Sequence, residues 1–187
     1  NFLDDDKLFH IGNGVDSTIF IPKSIIDMSK TKKKLGIPDN SFVIGSICRL
    51  VEEKGILEFL DAAEMISKIY PDVYFLLIGS RLDTEHNTNI NKQIFSKKKK
   101  LGDKLLLLGH RNDIPELLSI FDIFCLPSWR EGLSRSIIEA MFMAKPIITT
   151  NIRGCREQVD HKKNGLIIPI KSSKKIFNSI KFLINDP

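Results

Sequence analysis

The sequence predicts an α/β fold: a doubly wound parallel sheet of about six strands with helices on both faces. Short apolar runs alternate with helical patterns along most of the chain. The runs are apolar throughout, which is typical of strands that are covered on both faces. No apolar run approaches the roughly 18 residues that a membrane-spanning helix needs.

The predicted elements alternate regularly once the chain has passed its first forty or so residues. The strands are predicted at residues 42–49, 73–80, 104–109, 122–127, 145–150 and 164–170. Apolar residues at helical spacing predict helices at residues 56–70, about 93–100, 113–121, 133–144, 155–160 and 172–186. A polar loop is expected at residues 83–92, and Asp113 and Ser172 are expected to cap their helices.

The first part of the chain does not fit this alternation. We expect residues 1–41 to be a lead-in or interdomain linker and residues 42–187 to form one domain. The chain begins without methionine and shows no signal peptide, so we expect it to be a piece of a longer protein. Asp4, Asp5 and Asp6 are interpreted as a disordered tail, and no metal site is predicted.

The chain has a net charge of +5, which comes largely from lysine runs. These lie at residues 30–34, 97–100, 162–163 and 174–175. They are either a solvated surface or a binding surface for an anionic partner. Aromatic residues do not interleave with the lysines, which argues against a nucleic-acid groove. Peripheral contact with a membrane is therefore the favoured binding alternative.

Three cysteines, Cys48, Cys125 and Cys155, are too far apart in sequence to indicate a metal knuckle. Cys48 and Cys125 lie within apolar runs, where a free cysteine packs as a small apolar residue. This pattern favours a reducing, cytoplasmic location without disulfides.

Doubly wound sheets bind ligands beyond the carboxyl ends of their strands, so the loops after the strands are the candidate site. Glu131 follows the fourth strand, and Glu139 lies roughly 12 Å further along the predicted helix. The N–H groups between Leu133 and Ser136 suit a phosphate group. The alternative is a surface pair between Arg135 and Glu139, with Glu131 only favouring the helix dipole.

The loop after the first strand reads "CRLVEEKG". Arg49 and Lys54 could hold a diphosphate together, the arginine as a fork and the lysine as a point charge. Alternatively, both cations pair with Glu52 or Glu53. The glycine-rich dinucleotide fingerprint and the P-loop pattern are absent, which argues against an NAD enzyme and a P-loop NTPase.

Two further loops carry weaker signals. The loop "GHRND" after the third strand places Arg111 where a nucleotide base could lie, although a plain turn with a helix cap explains it as well. The loop "NIRGCRE" after the fifth strand places Gly154 at the start of another helix.

Several motifs occur together in the order of a known family: "GNGVD", "CRLVEEKG", "LLIGS", "PSWREGLSRSIIEAMFMAKPIITTNIRGCREQV" and "NGLIIP". Together they resemble the C-terminal, donor-binding domain of retaining glycosyltransferases of family four, which consist of two Rossmann-like domains. The resemblance covers about residues 10–187. Its most specific part is the pair of glutamates separated by seven residues, Glu131 and Glu139.

The resemblance implies a role for each candidate residue. Glu131 would contact the donor sugar and Glu139 the ribose, while Arg49 and Lys54 would hold the diphosphate. The segment after the first glutamate would offer backbone N–H groups to the donor: Gly132, Leu133 and Ser134. The family commonly has glycine at or just before Lys145, and we expect the lysine to be tolerated at the surface.

The activity implied is transfer of a sugar from a nucleotide-diphosphate sugar, with UDP-sugar preferred, to a glycan or lipid-linked acceptor. Such enzymes assemble cell-envelope polysaccharides in the cytoplasm, at the inner face of the membrane. The acceptor-binding N-terminal domain is missing from this chain, so the chain alone is expected to be inactive. The alternatives are a non-catalytic nucleotide-binding module and a UDP-sugar epimerase-like domain, whose catalytic acids the sequence does not reveal.

Overall fold

The structure, a computed structural model, describes residues 13–80 and 88–186. Six strands form one parallel sheet: β1 (Phe42–Ile47), β2 (Val73–Ile78), β3 (Leu105–Gly109), β4 (Ile123–Leu126), β5 (Ile147–Thr150) and β6 (Gly165–Ile168). Their order across the sheet is β3-β2-β1-β4-β5-β6, so the direction of winding changes between β1 and β4. The predicted doubly wound fold is confirmed.

Helices connect and cover these strands. They are α1 (Ile25–Lys34), α2 (Ile56–Ser67), α3 (Thr88–Leu101), α4 (Ile114–Ser119), α5 (Arg135–Phe142), α6 (Arg153–Arg156) and α7 (Ser173–Asn185). Short 3-10 turns lie at Glu52–Lys54 and Gly102–Lys104. Among residues 13–80 and 88–186, no helix has both the length and the apolar character that a bilayer-spanning segment requires.

Strand β2 explains why the predicted strands are apolar throughout. All six of its residues are buried, because the sheet is covered on both faces. Alternate side chains point to opposite faces. Phe75 and Leu77 join the core beneath α2, α3 and α7, whereas Leu76 and Ile78 join the second core beneath α4 and α5.

The segment before β1 contains a helix that the sequence analysis did not predict. Helix α1 begins after Ser24, whose hydroxyl accepts a hydrogen bond from Asp27 N–H, and it packs against α4. Lys32 is buried, and its Nζ donates to the carbonyl groups of Asp39 and Ser41, at 2.8 and 2.9 Å. The lysine-rich sequence of this helix conceals its apolar positions. The domain boundary at residue 41 stays a prediction.

Several predicted helix boundaries are corrected. Helix α3 begins at Thr88, inside the predicted loop 83–92, of which residues 83–87 lie outside the described part of the chain. Helix α5 spans Arg135–Phe142 rather than 133–144, and α6 spans Arg153–Arg156 rather than 155–160. The loops that precede α5 and α6 are held by tertiary contacts. Helical periodicity in the sequence does not reveal such contacts.

The two predicted helix caps are also corrected. Asp113 and Ser172 occupy the N-cap positions of α4 and α7, but neither side chain makes a capping hydrogen bond. The Asp113 carboxylate accepts hydrogen bonds from Arg111 instead, and a stronger charged partner therefore replaces the cap.

Helix α5 ends in a turn that includes Lys145, which the sequence analysis expected to lie at the surface. Ala144 has a left-handed backbone, with φ of 54°, and Lys145 N–H donates to Ala140 O at 3.0 Å. This is the Schellman arrangement that commonly ends with glycine. Lys145 is half-buried rather than exposed: its Nζ donates to Ser119 O at 2.8 Å, and burial lowers its pKa.

Candidate functional site

The candidate site lies where the winding of the sheet changes, beyond the carboxyl ends of β1 and β4. Lys54 follows β1 and Glu131 follows β4, and Lys54 Nζ lies 2.7 Å from Glu131 Oε1. Both side chains are largely covered, with 11% and 13% of their surface exposed. Ser128 Oγ also donates to Glu131 Oε1, at 2.9 Å. The fold therefore joins two residues that lie 77 positions apart.

Direct backbone contact between the two loops fixes this ion pair. Gly55 has φ of 69°, and a Cβ atom there would lie 2.1 Å from Pro127 O. Trp129 N–H donates to Glu53 O at 2.7 Å. Because only glycine permits this approach, Gly55 sets the position of Lys54 against the loop that carries Glu131. The Trp129 ring in turn packs under Lys171, whose Nζ lies 4.0 Å from the ring centre.

The loop after β5 supports the Glu131 loop from the other side. A Cβ atom at Gly154 would lie 1.6 Å from Gly132 O and 2.7 Å from Glu131 O. The Thr150 hydroxyl donates to Ser128 O. The Glu131 loop therefore lies between two neighbouring loops, and its position depends on both.

The start of α5 is held by side chains that are distant in sequence. Gln158 bridges the backbone of Ser134: its Nε2 donates to Ser134 O at 2.8 Å, and its Oε1 accepts from Ser134 N–H at 3.1 Å. Asn13 Nδ2 donates to Leu133 O at 3.0 Å. The expectation of an open N–H group at Ser134 is therefore corrected. The Ser134 side chain does not cap the helix, so α5 begins without a cap from its own N-cap residue.

Glu139 lies on α5 beside Arg135, with Arg135 Nε 3.0 Å from Glu139 Oε1. The arginine is 70% exposed, but the glutamate is only 12% exposed. Burial raises the pKa of Glu139, and the positive charge of Arg135 partly opposes this rise. The pair that the sequence offered as an alternative is present. Arg135 occupies one side of the Glu139 carboxylate, which is covered rather than fully solvated.

Arg49 lies on the same loop as Lys54 but makes a different contact. Its guanidinium lies 3.3 Å from Glu53 Oε1, and both side chains are partly exposed. For Arg49, one pairing of the alternative interpretation is therefore present. Lys54 instead pairs with Glu131. Burial raises the pKa of the neighbouring Cys48 thiol to about 12, so the thiol is a neutral packing group at neutral pH.

A cavity of about 340 Å³ opens beside Arg49, beyond β1, β2 and β3. Gly79, His110 and Arg111 are among the residues that line it. Arg111 Nε donates to Asp113 Oδ1 at 2.7 Å, and this contact holds the pKa of Asp113 below its usual value. Arg111 therefore has a local partner, and its predicted contact with the donor stays a prediction.

A family profile described as "Glycosyl transferases group 1" matches residues 27–187. The chain belongs to this family. It is 35% identical to the Escherichia coli UDP-Gal:alpha-D-GlcNAc-diphosphoundecaprenol alpha-1,3-galactosyltransferase, covering 99% of this chain and 47% of the relative. It is 30% identical to the Staphylococcus aureus capsular polysaccharide biosynthesis glycosyltransferase CapM, covering 100% of this chain and 48% of the relative. The chain thus spans about half the length of these curated relatives.

Solved structures with the same fold include complexes with sugar nucleotides and a glycosyl transferase domain. Anabaena Alr3699/HepE, solved in complex with UDP-glucose, matches with a TM-score of 0.84 and 31% identity over 93% of this chain and 47% of that one. The C-terminal domain of the group 1 protein LpcC from Francisella tularensis matches with a TM-score of 0.82 and 28% identity. That match covers 92% of this chain and 89% of the LpcC domain, so the present chain corresponds to one domain of such an enzyme.

Sequence reasoning missed four side chains that position the site of this glycosyltransferase domain: Asn13, Ser128, Trp129 and Gln158. Ser128 and Trp129 lie three and two residues before Glu131, so their closeness in sequence could have indicated them. Gln158 lies 24 residues from Ser134, and no local pattern connects them.

Asp4, Asp5 and Asp6 lie outside the described residues. Within the described part of the chain, no cluster of three or more histidine, cysteine or acidic side chains is arranged to hold a metal ion.

Proposed function

We propose that this chain is the donor-binding domain of a retaining glycosyltransferase, which moves a sugar from a nucleotide-diphosphate sugar to a glycan or lipid-linked acceptor. One observation carries the proposal. The Lys54–Glu131 pair lies at the change of winding of the sheet, where folds of this type bind nucleotides. It places a cation and a carboxylate in one covered crevice.

The crevice suits a diphosphate leaving group. When the sugar–phosphate bond breaks, negative charge develops on the diphosphate. An ammonium group has three N–H donors, so Lys54 can keep one on Glu131 and direct another at a phosphate oxygen. Arg49 and the uncapped start of α5 add further positive potential. Such groups stabilise developing charge because they are already in place.

The two glutamates would hold the two ends of the donor. Glu131 would accept hydrogen bonds from hydroxyl groups of the sugar while it fixes Lys54. Glu139 would accept hydrogen bonds from the ribose hydroxyls with its covered carboxylate. Gly132 is exposed, and the backbone N–H groups of Gly132 and Leu133 would face the donor.

The preferred donor is a UDP-sugar. The E. coli relative is named for UDP-Gal, and the Anabaena structure contains UDP-glucose. The cavity beside Arg49 and Arg111 would receive the base, because it adjoins the loop that carries Lys54.

The acceptor would be a glycan or a lipid-linked sugar in cell-envelope polysaccharide synthesis, at the inner face of the cytoplasmic membrane. The name of the E. coli relative includes a diphosphoundecaprenol acceptor, and that of the S. aureus relative includes capsular polysaccharide. A second, acceptor-binding domain would complete the cleft, so this chain alone would bind the donor without transferring the sugar.

Calorimetric titration of the chain with UDP, GDP and their sugars, in the presence of EDTA, tests the proposal. UDP is expected to bind without metal, in the micromolar to millimolar range. Lys54→Met and Glu139→Ala should each weaken UDP binding by about ten-fold, because each removes a charged hydrogen-bonding group. Lys99→Met, at an exposed lysine of α3, is the matched control and should bind UDP as the parent does. Parent-like binding by both site variants would refute the assigned roles.

A further inference from the structure

A groove lies at the opposite end of α5 from the donor crevice, beside the amino ends of β5 and β6. It has a volume of about 600 Å³. Its apolar lining includes Met141 from the end of α5, Leu166 from β6 and Phe182 from α7. Lys162 and Lys163 stand at its mouth, and both are exposed. The groove thus combines an apolar floor with a cationic rim.

Phe182 connects this groove to two shallower depressions along α7. One of these adds Lys175 to the lining and the other adds Lys181. The Phe182 side chain is 51% exposed. An isolated exposed apolar residue needs no explanation, but Phe182 lines the same depressions as several lysines.

The charge of this surface is strongly one-sided. Among the described residues, the lining of the groove and its two neighbouring depressions includes five lysines and one acidic residue: Lys145, Lys162, Lys163, Lys175, Lys181 and Asp186. Lys163 reaches Asp160 at 3.4 Å, but both side chains are more than two-thirds exposed, so this pair holds the lysine weakly. Lys145 contributes only its aliphatic stem, because its Nζ is turned inward to Ser119 O. The surface is therefore complementary to a layer of anionic groups.

The sheet edge beside the groove does not have all its backbone N–H groups free to pair with a peptide strand. Strand β6 is the last strand of the sheet, and an edge strand usually presents free N–H groups for pairing. Here Ile167 N–H donates to His161 Nδ1 at 3.0 Å. This side-chain contact occupies a donor that an added strand would use, which favours a lipid surface over an extended peptide.

We propose that this groove docks the protein on an anionic phospholipid bilayer. Lys162, Lys163, Lys175 and Lys181 contact the headgroup phosphates, and Phe182 enters the boundary between headgroups and acyl chains. Lysines near an anionic bilayer attract it electrostatically, and an inserted aromatic side chain adds apolar burial. Because α5 separates the groove from the donor crevice, docking leaves the crevice open. The proposal does not depend on nucleotide binding.

Co-sedimentation of the 187-residue chain with lipid vesicles tests the proposal. The chain is expected to bind vesicles of phosphatidylglycerol and phosphatidylcholine, to bind pure phosphatidylcholine vesicles far less, and to be released by salt. Replacing both lysines at the mouth, as Lys162→Gln with Lys163→Gln, should lower the partition coefficient by roughly ten-fold. Phe182→Ser should lower it by several-fold.

Helix α3 offers a matched control, because Phe95 is 67% exposed there between the exposed Lys92 and Lys99. Lys92→Gln with Lys99→Gln, and Phe95→Ser, make the same chemical changes and should leave vesicle binding within two-fold of the parent. Equal losses of vesicle binding in the groove variants and the α3 variants would show that net charge, and not the groove, determines binding. Losses in the α3 set alone would place the docking surface there. Either result overturns the proposal.

A fluorescence measurement tests insertion directly and does not depend on lost binding. The chain has one tryptophan, so a second one is easily distinguished. Phe182→Trp should show a blue-shifted emission when phosphatidylglycerol vesicles are added, whereas Phe95→Trp should not. An unchanged emission from Phe182→Trp, with vesicles bound, would contradict the proposal.

Discussion

The two ends of α5 are built in opposite ways. Its N-terminal end is held by long-range contacts, from Gln158 to Ser134 and from Asn13 to Leu133, and its own N-cap residue leaves it uncapped. Its C-terminal end is closed by a local turn in which Ala144 has a left-handed backbone. Backbone groups are thus left for a ligand at one end and satisfied within the turn at the other.

The two ends of α5 therefore depend on different kinds of residue. The N-terminal end should be sensitive to changes in other loops that touch it. The C-terminal end should respond mainly to the conformational preference of the turn residue itself. Substitutions in the loops at the N-terminal end should therefore change stability more than a substitution in the C-terminal turn.

The largest effect is expected for Gly154→Ala. The new methyl group would lie 1.6 Å from Gly132 O, so either α6 or the Glu131 loop must shift. We expect the free energy of unfolding, measured by urea denaturation, to fall by about 3 kcal/mol. Gly132→Ala is the matched control, because a methyl group there meets nothing within 4 Å. Equal losses in both variants would show that the close approach of the loops is not the cause.

The next largest effect is expected for Glu131→Leu, which leaves the covered Lys54 without its carboxylate. The free energy of unfolding should fall by about 2 kcal/mol, since an uncompensated cation is costly to bury and some solvent reaches it here. The double variant Lys54→Met with Glu131→Leu should regain most of this loss. If the double variant is no more stable than Glu131→Leu, the loss of stability does not come from an unpaired Lys54.

Ala144→Gly tests the C-terminal end and should stabilise the protein. Glycine adopts the left-handed conformation without strain, although it also loses more conformational freedom on folding. We expect a gain of about 0.5–1 kcal/mol in the free energy of unfolding. Ala140→Gly, inside α5, should have the opposite sign. A loss of stability in Ala144→Gly would mean that another contact of the alanine methyl group outweighs the backbone strain.

The smallest effect is expected for Glu139→Gln, and it depends on pH. Burial raises the pKa of Glu139, so the folded protein loses stability as pH rises from the ordinary glutamate range through the raised pKa. The glutamine variant should therefore melt at a higher temperature than the parent at pH 7. This advantage should vanish below about pH 4, where the glutamate is protonated in both states. The same difference at both pH values would contradict a burial effect.

The sheet could be predicted because strands covered on both faces leave a continuous apolar pattern, as in β2. The crevice could be placed because Lys54 and Glu131 both follow strands that adjoin the change of winding, and the spacing of the glutamates carries the family resemblance. The sequence could not reveal that these two residues pair with each other, because 77 residues separate them.

Other features were hidden for similar reasons. Helix α1 was missed because lysines dominate its sequence, and its stability comes from packing against α4. The uncapped start of α5 was placed two residues early because Gln158 keeps Ser134 outside the helix. The lysines that line the groove near α7 were visible in the sequence, but their position beside Phe182 depends on the packing of α7.

The proposed function requires that the Lys54–Glu131 crevice receives the diphosphate of a sugar nucleotide. A crystal structure of the chain with UDP, grown without divalent metal, tests it most directly. We expect a phosphate oxygen within hydrogen-bonding distance of Lys54 Nζ and the ribose beside Glu139. A diphosphate bound on another part of the surface, with the crevice empty, would contradict it.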